Sequence, residues 1–159
     1  MTPVKAVSTP ADTMAPMDDT PRPLDEAAIA HLVDTFYARV RRDDLLGPVF
    51  NAAVHDWAAH TRTLTDFWCS VALRAQRYRG NPMGVHRALS NIGEPHFQRW
   101  LALWRETVPQ LIEPEGATRL VEHAERIGLS LRLGMGLLPR GRDLGVPIVQ
   151  TQAAPRQTD

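Results

Sequence analysis

Residues 25–42 read DEAAIAHLVDTFYARVRR, and this stretch indicates the fold class. Its apolar side chains recur every three or four residues, the spacing that places them on one face of an α-helix. They are Ile29, Leu32, Val33, Phe36, Tyr37 and Val40. Asp25 stands just before the pattern, where an aspartate can accept a hydrogen bond from a backbone N–H of the first helical turn. The stretch therefore predicts a helix that begins after Asp25 and buries one face.

Three later segments repeat this helical periodicity. The second helix begins near Asp56 and presents Trp57, His60, Leu64, Phe67, Trp68 and Val71. The third has Pro95 in its first turn and is expected to stop at Pro109, and it presents Phe97, Trp100, Leu101, Trp104 and Val108. The last begins near Glu115 and turns Leu120, Val121, Ala124, Ile127 and Leu131 inward. Since no alternating run predicts a strand, the predicted fold class is all-α.

Glycine and proline interrupt the pattern twice. Residues 45–50 contain Gly47 and Pro48, which predict a turn with an apolar lid between the first two helices. Residues 78–94 contain several glycines and a proline, which leave room for only a short helical turn around His86. His86 is therefore expected on a short, loop-bounded element.

The two ends of the chain have a different composition. Residues 1–23 and 139–159 combine prolines with small polar residues and predict a disordered tail at the start and a mostly disordered tail at the end, with residues 24–138 as the folded domain. The N-terminal residues show no continuous apolar run of the signal-peptide kind, so we expect a cytoplasmic protein without a membrane span.

Charge and cysteine content exclude several classes of site. Lys plus Arg and Asp plus Glu both total 18, so no net charge favours nucleic acid as a partner. Cys69 is the only cysteine, which excludes an intramolecular disulfide and a cysteine-cluster metal site. Phosphate loops, nucleophile elbows and zinc-helix motifs are absent from the sequence.

Four residues on the predicted helices could carry chemistry, although each has a packing explanation when taken alone. They are His60, His86, Tyr37 and Trp100.

Several motifs occur in an order that resembles one family, the group III truncated haemoglobins. They are residues 36–41 (FYARVR), residues 46–51 (LGPVFN), Trp57 with His60, Phe67-Trp68, residues 78–82 (YRGNP), His86, Phe97 with Trp100-Leu101, and Leu103-Trp104. The resemblance covers residues 24–138 and implies a two-over-two α-helical sandwich around haem b.

The same resemblance implies roles for single residues. His86 is similar in position to the iron ligand, the metal-binding residue of the site. The side chains expected to contact the haem ring are Phe36, Phe50, Leu64, Phe67 and Trp68, and those expected near the propionates are Tyr78 and Arg79, with Arg77 as a further candidate. Tyr37, Trp100 and His60 correspond to the distal positions, where a hydroxyl and an indole N–H can donate to a bound ligand. His96 is a competing ligand to be checked.

The implied function is a haem protein that binds dioxygen, carbon monoxide and nitric oxide. A distal side with several donors favours ligand retention or ligand chemistry over bulk oxygen transport. Two alternatives stay open at this point. One is a haem enzyme that oxidises nitric oxide or acts on peroxide with electrons from an external reductase. The other is a haem-free helical interaction domain in which His60 and His86 only pack.

Overall fold

The fold is described for residues 20–89 and 91–138 of a computed structural model. These residues form six helices: α1 (Glu26–Arg42), α2 (Leu46–Ala53), α3 (Trp57–Leu73), α4 (Pro82–Arg87), α5 (Glu94–Leu111) and α6 (Pro114–Gly134). Within this described part there is no β-sheet, which confirms the all-α prediction. None of its helices combines the length and the apolar character that crossing a membrane requires.

The long helices form two layers. Helix α1 packs on α3 and α5, and α6 packs on α5 and α3, so two helix pairs cross over one core. The ends of α1 and α3 follow the predicted chemistry: Asp25 and Asp56 each accept a hydrogen bond from a first-turn N–H, those of Ala28 (2.7 Å) and Ala59 (3.0 Å). These caps satisfy donors that a helix leaves free at its start.

Trp104 of α5 is the centre of the core. Its ring stacks on Trp68 of α3 (centroids 4.5 Å apart) and on Trp100 of α5 (5.5 Å), and Phe36 of α1 meets it edge-on at 4.8 Å. Its indole N–H donates to the carbonyl of Leu120 on α6 at 3.2 Å, so the buried donor is satisfied. One side chain therefore joins all four long helices.

Two proline expectations are wrong. Residues 46–50, predicted as a turn, belong to helix α2, because Pro48 is the third helical residue and its missing N–H would have no helical partner there. Pro109 does not stop α5, which continues to Leu111. Pro109 lies exposed in the last turn, where only the carbonyl of Arg105 loses its partner and water can replace it.

The folded part begins earlier than residue 24. The Arg22 N–H donates to the Leu111 carbonyl (3.0 Å), and the Glu113 N–H donates to the Arg22 carbonyl (2.9 Å). The predicted disorder up to residue 23 is therefore wrong at Arg22, which pairs with the connection between α5 and α6. Residues 1–19 and 139–159 lie outside the described residues, so the rest of both tail predictions stays a prediction.

Asp43 organises the joint between α1 and α2. Its carboxylate accepts hydrogen bonds from the N–H groups of Leu45 (3.1 Å) and Leu46 (3.0 Å) and from the Arg99 guanidinium (2.7 Å). Burial pushes the pKa of Asp43 upward, but these bonds and the charge of Arg99 outweigh it and hold that pKa below its usual value. The carboxylate thus stays charged at neutral pH and ties both helices to α5.

Gly47 is required at the same joint. A Cβ at this position would lie 2.8 Å from the carbonyl oxygen of Arg41, a backbone atom that cannot move without shifting α1. We expect Gly47→Ala to lower the free energy of unfolding by about 1–3 kcal/mol, measured by urea denaturation. Gly128→Ala is the matched control, because a Cβ there meets only Leu101 at ordinary contact distance, 3.6 Å or more. Alanine should leave stability unchanged or raise it at this mid-helix position, and equal losses in the two variants would contradict the steric account.

Candidate functional site

The short helix α4 presents His86. Asn81 caps it by accepting a hydrogen bond from the Gly84 N–H at 3.0 Å, and Pro82 is its first residue, where no N–H is needed. The His86 Nδ1 lies 2.6 Å from the carbonyl oxygen of Pro82. A carbonyl can only accept, so Nδ1 carries the proton, and in the neutral imidazole the lone pair is on Nε2. The half-buried imidazole is therefore held in the tautomer that can ligate a metal through Nε2.

Helix α4 is fastened to the end of α6. The Arg87 guanidinium donates twice to the carbonyl of Gly134, through Nε at 3.0 Å and Nη2 at 2.9 Å. The Met83 side chain occupies the space that a Cβ on Gly134 would need. The His86 ring lies 6.3 Å from the ring of Phe97 on α5, at a tilt of 36°. These contacts fix both the position of α4 and the direction of the imidazole.

A second group surrounds Tyr37 of α1. Tyr37 is 4% exposed, and burial raises its pKa well above the usual range, while a hydrogen bond with the Trp100 side chain acts in the opposite direction. Phe36 meets both rings edge-on, at 4.9 Å from Tyr37 and 5.5 Å from Trp100. The phenol is consequently a neutral hydroxyl at any physiological pH, and aromatic side chains surround it.

His60 of α3 completes this group. Its ring stands edge-on to Tyr37 at 6.0 Å and to Trp57 at 5.6 Å. Burial lowers the pKa of His60, so the imidazole is neutral at pH 7 and retains one donor and one acceptor nitrogen. The structure thus brings together Tyr37, Trp100 and His60, which lie on three different helices.

The pKa shift of His60 predicts a pH dependence of stability. Because the folded-state pKa lies below the unfolded value of about 6.5, the unfolded chain binds more protons as pH falls through 6.5, and stability is lost in that window. His123 contributes in the same direction, since burial and two nearby arginines lower its pKa. We expect His60→Gln to weaken the loss of stability between pH 7 and 5, with a further reduction when His123→Gln is added. An unchanged pH slope in His60→Gln would contradict the burial of this imidazole.

Helix α5 links the two groups. Phe97, which contacts His86, and Trp100, which contacts Tyr37, are three residues apart and lie on the same face of the helix. His86, which can offer a lone pair, lies next to Phe97. The hydrogen-bonding groups of Tyr37 and His60 lie near Trp100, one helical turn away. This arrangement suits a cofactor that takes a protein ligand on one side and a small ligand on the other.

Comparison with known proteins agrees with this geometry. A family model described as bacterial-like globin matches residues 25–127. Group 3 truncated hemoglobin ctb of Campylobacter jejuni is 30% identical over 108 residues, which cover 65% of this chain and 85% of that protein. The crystal structure of group III truncated hemoglobin from Campylobacter jejuni is similar with a TM-score of 0.67 and 28% identity, covering 75% of this chain and 95% of that one. The chain belongs to the group III truncated haemoglobins. Group 1 truncated hemoglobin GlbN of Nostoc commune is also similar, with 33% identity over 72 residues, 45% of this chain and 59% of that protein.

Family membership confirms the predicted two-over-two fold and the coarse function. Globins are haem proteins, so this truncated haemoglobin is a haem protein that binds diatomic ligands such as oxygen. This finding disfavours the haem-free interaction domain.

The residues of this truncated haemoglobin fit a haem group. Several apolar side chains pack against the core but are only partly buried, which leaves apolar surface for a flat ring such as haem. Three of the predicted haem contacts are among them: Phe50, Leu64 and Phe67. Phe36 and Trp68 are fully buried, at 0% and 2% exposure, so they support this wall from behind and their direct contact with haem stays a prediction.

The predicted propionate residues are placed differently from one another. Tyr78 packs edge-on to Phe67 at 5.1 Å, which puts it at the rim of the site. The Arg77 guanidinium forms an ion pair with the Glu26 carboxylate of α1 at 2.5 Å. Arg79 is exposed and has no ion pair within the described residues, and its contact with a propionate stays a prediction. His96 accepts a hydrogen bond from the Gly93 N–H at 3.0 Å and caps the start of α5 through Nδ1.

Sequence reasoning missed two residues at the site. Phe97 was expected only in the core, although its spacing of three residues from Trp100 is the signal that both lie on the same face of α5. Ser70 was not singled out, and no sequence pattern marks it. The role of Ser70 depends on hydrogen bonds with backbone N–H groups of the connection between α3 and α4.

Proposed function

We propose that this globin uses His86 to hold the iron of haem b and uses Tyr37, Trp100 and His60 to retain a diatomic ligand. We base this on the convergence of Tyr37, Trp100 and His60 from three different helices, with the Tyr37 side chain buried. When bound, the haem supplies iron as the site of ligand coordination. The protein supplies the orientation and the polarity around it.

Tyr37, which is buried, and Trp100, which is half-buried, contribute donors among aromatic side chains. A hydrogen bond to a group that carries charge contributes about 1.5–3 kcal/mol when it is shielded from water. The Tyr37 hydroxyl can turn from one acceptor to another, and neutral His60 adds a further donor or acceptor. We therefore expect slow ligand release, which suits ligand retention or chemistry and does not suit bulk oxygen transport.

The same donors support a second candidate, oxidation of nitric oxide or reaction with peroxide. That activity needs electrons, and the 159 residues carry no dinucleotide-binding motif. We propose that a reductase outside this sequence supplies them, in the cytoplasm.

Oxygen dissociation and nitric oxide consumption separate the two candidates. We expect oxygen release, measured by stopped-flow mixing, to be slow, and slow release would support a distal site that retains its ligand. Multiple turnovers of nitric oxide in the presence of a reductase would then favour the enzyme, and slow release without turnover would favour a ligand-storing or sensing protein. Fast release without turnover would contradict both.

A further inference from the structure

Residues 74–81 connect α3 to α4, and their backbone is strained. Arg74 (φ 57°) and Gln76 (φ 51°) both have left-handed conformations without being glycine. Such residues are uncommon, and the conformation is unfavourable for an L-residue with a side chain. A connection of this kind needs specific contacts to hold one conformation.

Ser70 supplies those contacts. Its hydroxyl donates to the Asp66 carbonyl (2.8 Å) and accepts from the N–H groups of Arg77 (2.8 Å) and Tyr78 (2.9 Å). A hydroxyl has one donor and two acceptor lone pairs, so its capacity is fully used. The threonines of α3, by contrast, bond only to carbonyls of their own helix, as Thr65 does to Thr61 at 2.8 Å.

The two tethered N–H groups belong to residues that shape the site. The side chain of Arg77 forms the ion pair with Glu26 on α1, and the ring of Tyr78 packs against Phe67. The end of the Tyr78 ring lies over Gly80, in the space that a Cβ would need, just before α4 begins at Pro82. The Ser70 hydroxyl therefore joins α3 to the connection that leads to the short helix carrying His86.

From this geometry we propose that Ser70 is a positioning residue that slows the escape of haem by tethering the α3–α4 connection. The inference rests on the proposed function, because it assumes that His86 and Phe67 flank the haem. Without the hydroxyl, the Arg77 and Tyr78 N–H groups lose their acceptor and the rim at Tyr78 opens more often. The fold itself does not depend on this hydroxyl, since Trp104 and its neighbours form the core elsewhere.

The test compares Ser70→Ala with Thr65→Val in the full-length holoprotein. Each substitution removes a half-buried hydroxyl from α3, but only Ser70 reaches the connection. The first measurement is the rate of haem transfer to excess apomyoglobin. We expect a roughly 5- to 30-fold faster transfer in Ser70→Ala, from the loss of one to two hydrogen bonds, a rate near that of the wild type in Thr65→Val, and rescue by Ser70→Thr.

The second measurement is amide hydrogen exchange, which a general loss of stability would change everywhere. We expect the Arg77 and Tyr78 amides to exchange about ten-fold faster in Ser70→Ala while the amides of α1 and α5 are unaffected. Unchanged haem transfer, an equal effect of Thr65→Val, or failure of Ser70→Thr to rescue would overturn the proposal. If the wild-type protein holds no haem, the proposed function fails instead, and exchange at Arg77 and Tyr78 still reports whether the tether exists.

Discussion

His86→Ala is expected to lower haem affinity by about 100-fold or more, since the change removes the proposed iron ligand. The backbone of α4 should survive, because Asn81 caps it and Arg87 fastens it to α6. The measurement is a titration of apoprotein with haem, followed by absorption. Folding of the variant is checked by circular dichroism.

Two further variants sharpen this test. His96→Ala is the matched control, because it removes another imidazole, one whose Nδ1 accepts a hydrogen bond at the start of α5. Added imidazole should restore the absorption spectrum in His86→Gly by replacing the missing side chain. Haem binding of wild-type strength in His86→Ala, or a loss of haem in His96→Ala alone, would assign the ligand to another residue.

Tyr37→Phe is expected to speed oxygen release by roughly 10- to 100-fold, equivalent to a hydrogen bond of about 1.5–3 kcal/mol. The variant keeps the buried ring against Phe36 and Phe50 and removes only the hydroxyl. The measurement is the dissociation rate after mixing the oxygenated protein with carbon monoxide.

The chain provides a matched control in its other tyrosine. Tyr78→Phe also removes one phenolic hydroxyl, but Tyr78 lies at the rim against Phe67 and not against Trp100. Its oxygen release should stay near the wild-type rate. Equal rates for Tyr37→Phe and the wild type would show that the hydroxyl does not reach the bound ligand.

The long helices could be predicted because their signals are local. Helix caps and apolar spacing depend on neighbours within one or two turns, as for the caps Asp25 and Asp56 and the spacing within α1, α3, α5 and α6. Helix α2 was missed because a Gly-Pro pair is compatible with a first helical turn as well as with a turn. The missing Cβ of Gly47 allows α2 to pass close to the Arg41 carbonyl, a tertiary contact that the local sequence pattern does not reveal.

The candidate site could be predicted only through the resemblance to a family. Spacing alone left His86 equivalent to His96, and the structure distinguishes them by what each Nδ1 contacts, a carbonyl for His86 and an N–H for His96. The pairing of Arg77 with Glu26 and the tether at Ser70 join residues far apart or in irregular backbone. No periodicity encodes such contacts, so they had to be observed.

In the proposed haem site, a protein ligand holds the haem and one side stays open to a diatomic ligand. The most direct measurement is the absorption spectrum of the purified protein in its ferric and ferrous states, with and without carbon monoxide. We expect a haem spectrum in both states and a clear shift when carbon monoxide is added to the ferrous protein. A colourless protein that takes up no added haem, or a ferrous spectrum that carbon monoxide does not change, would contradict it.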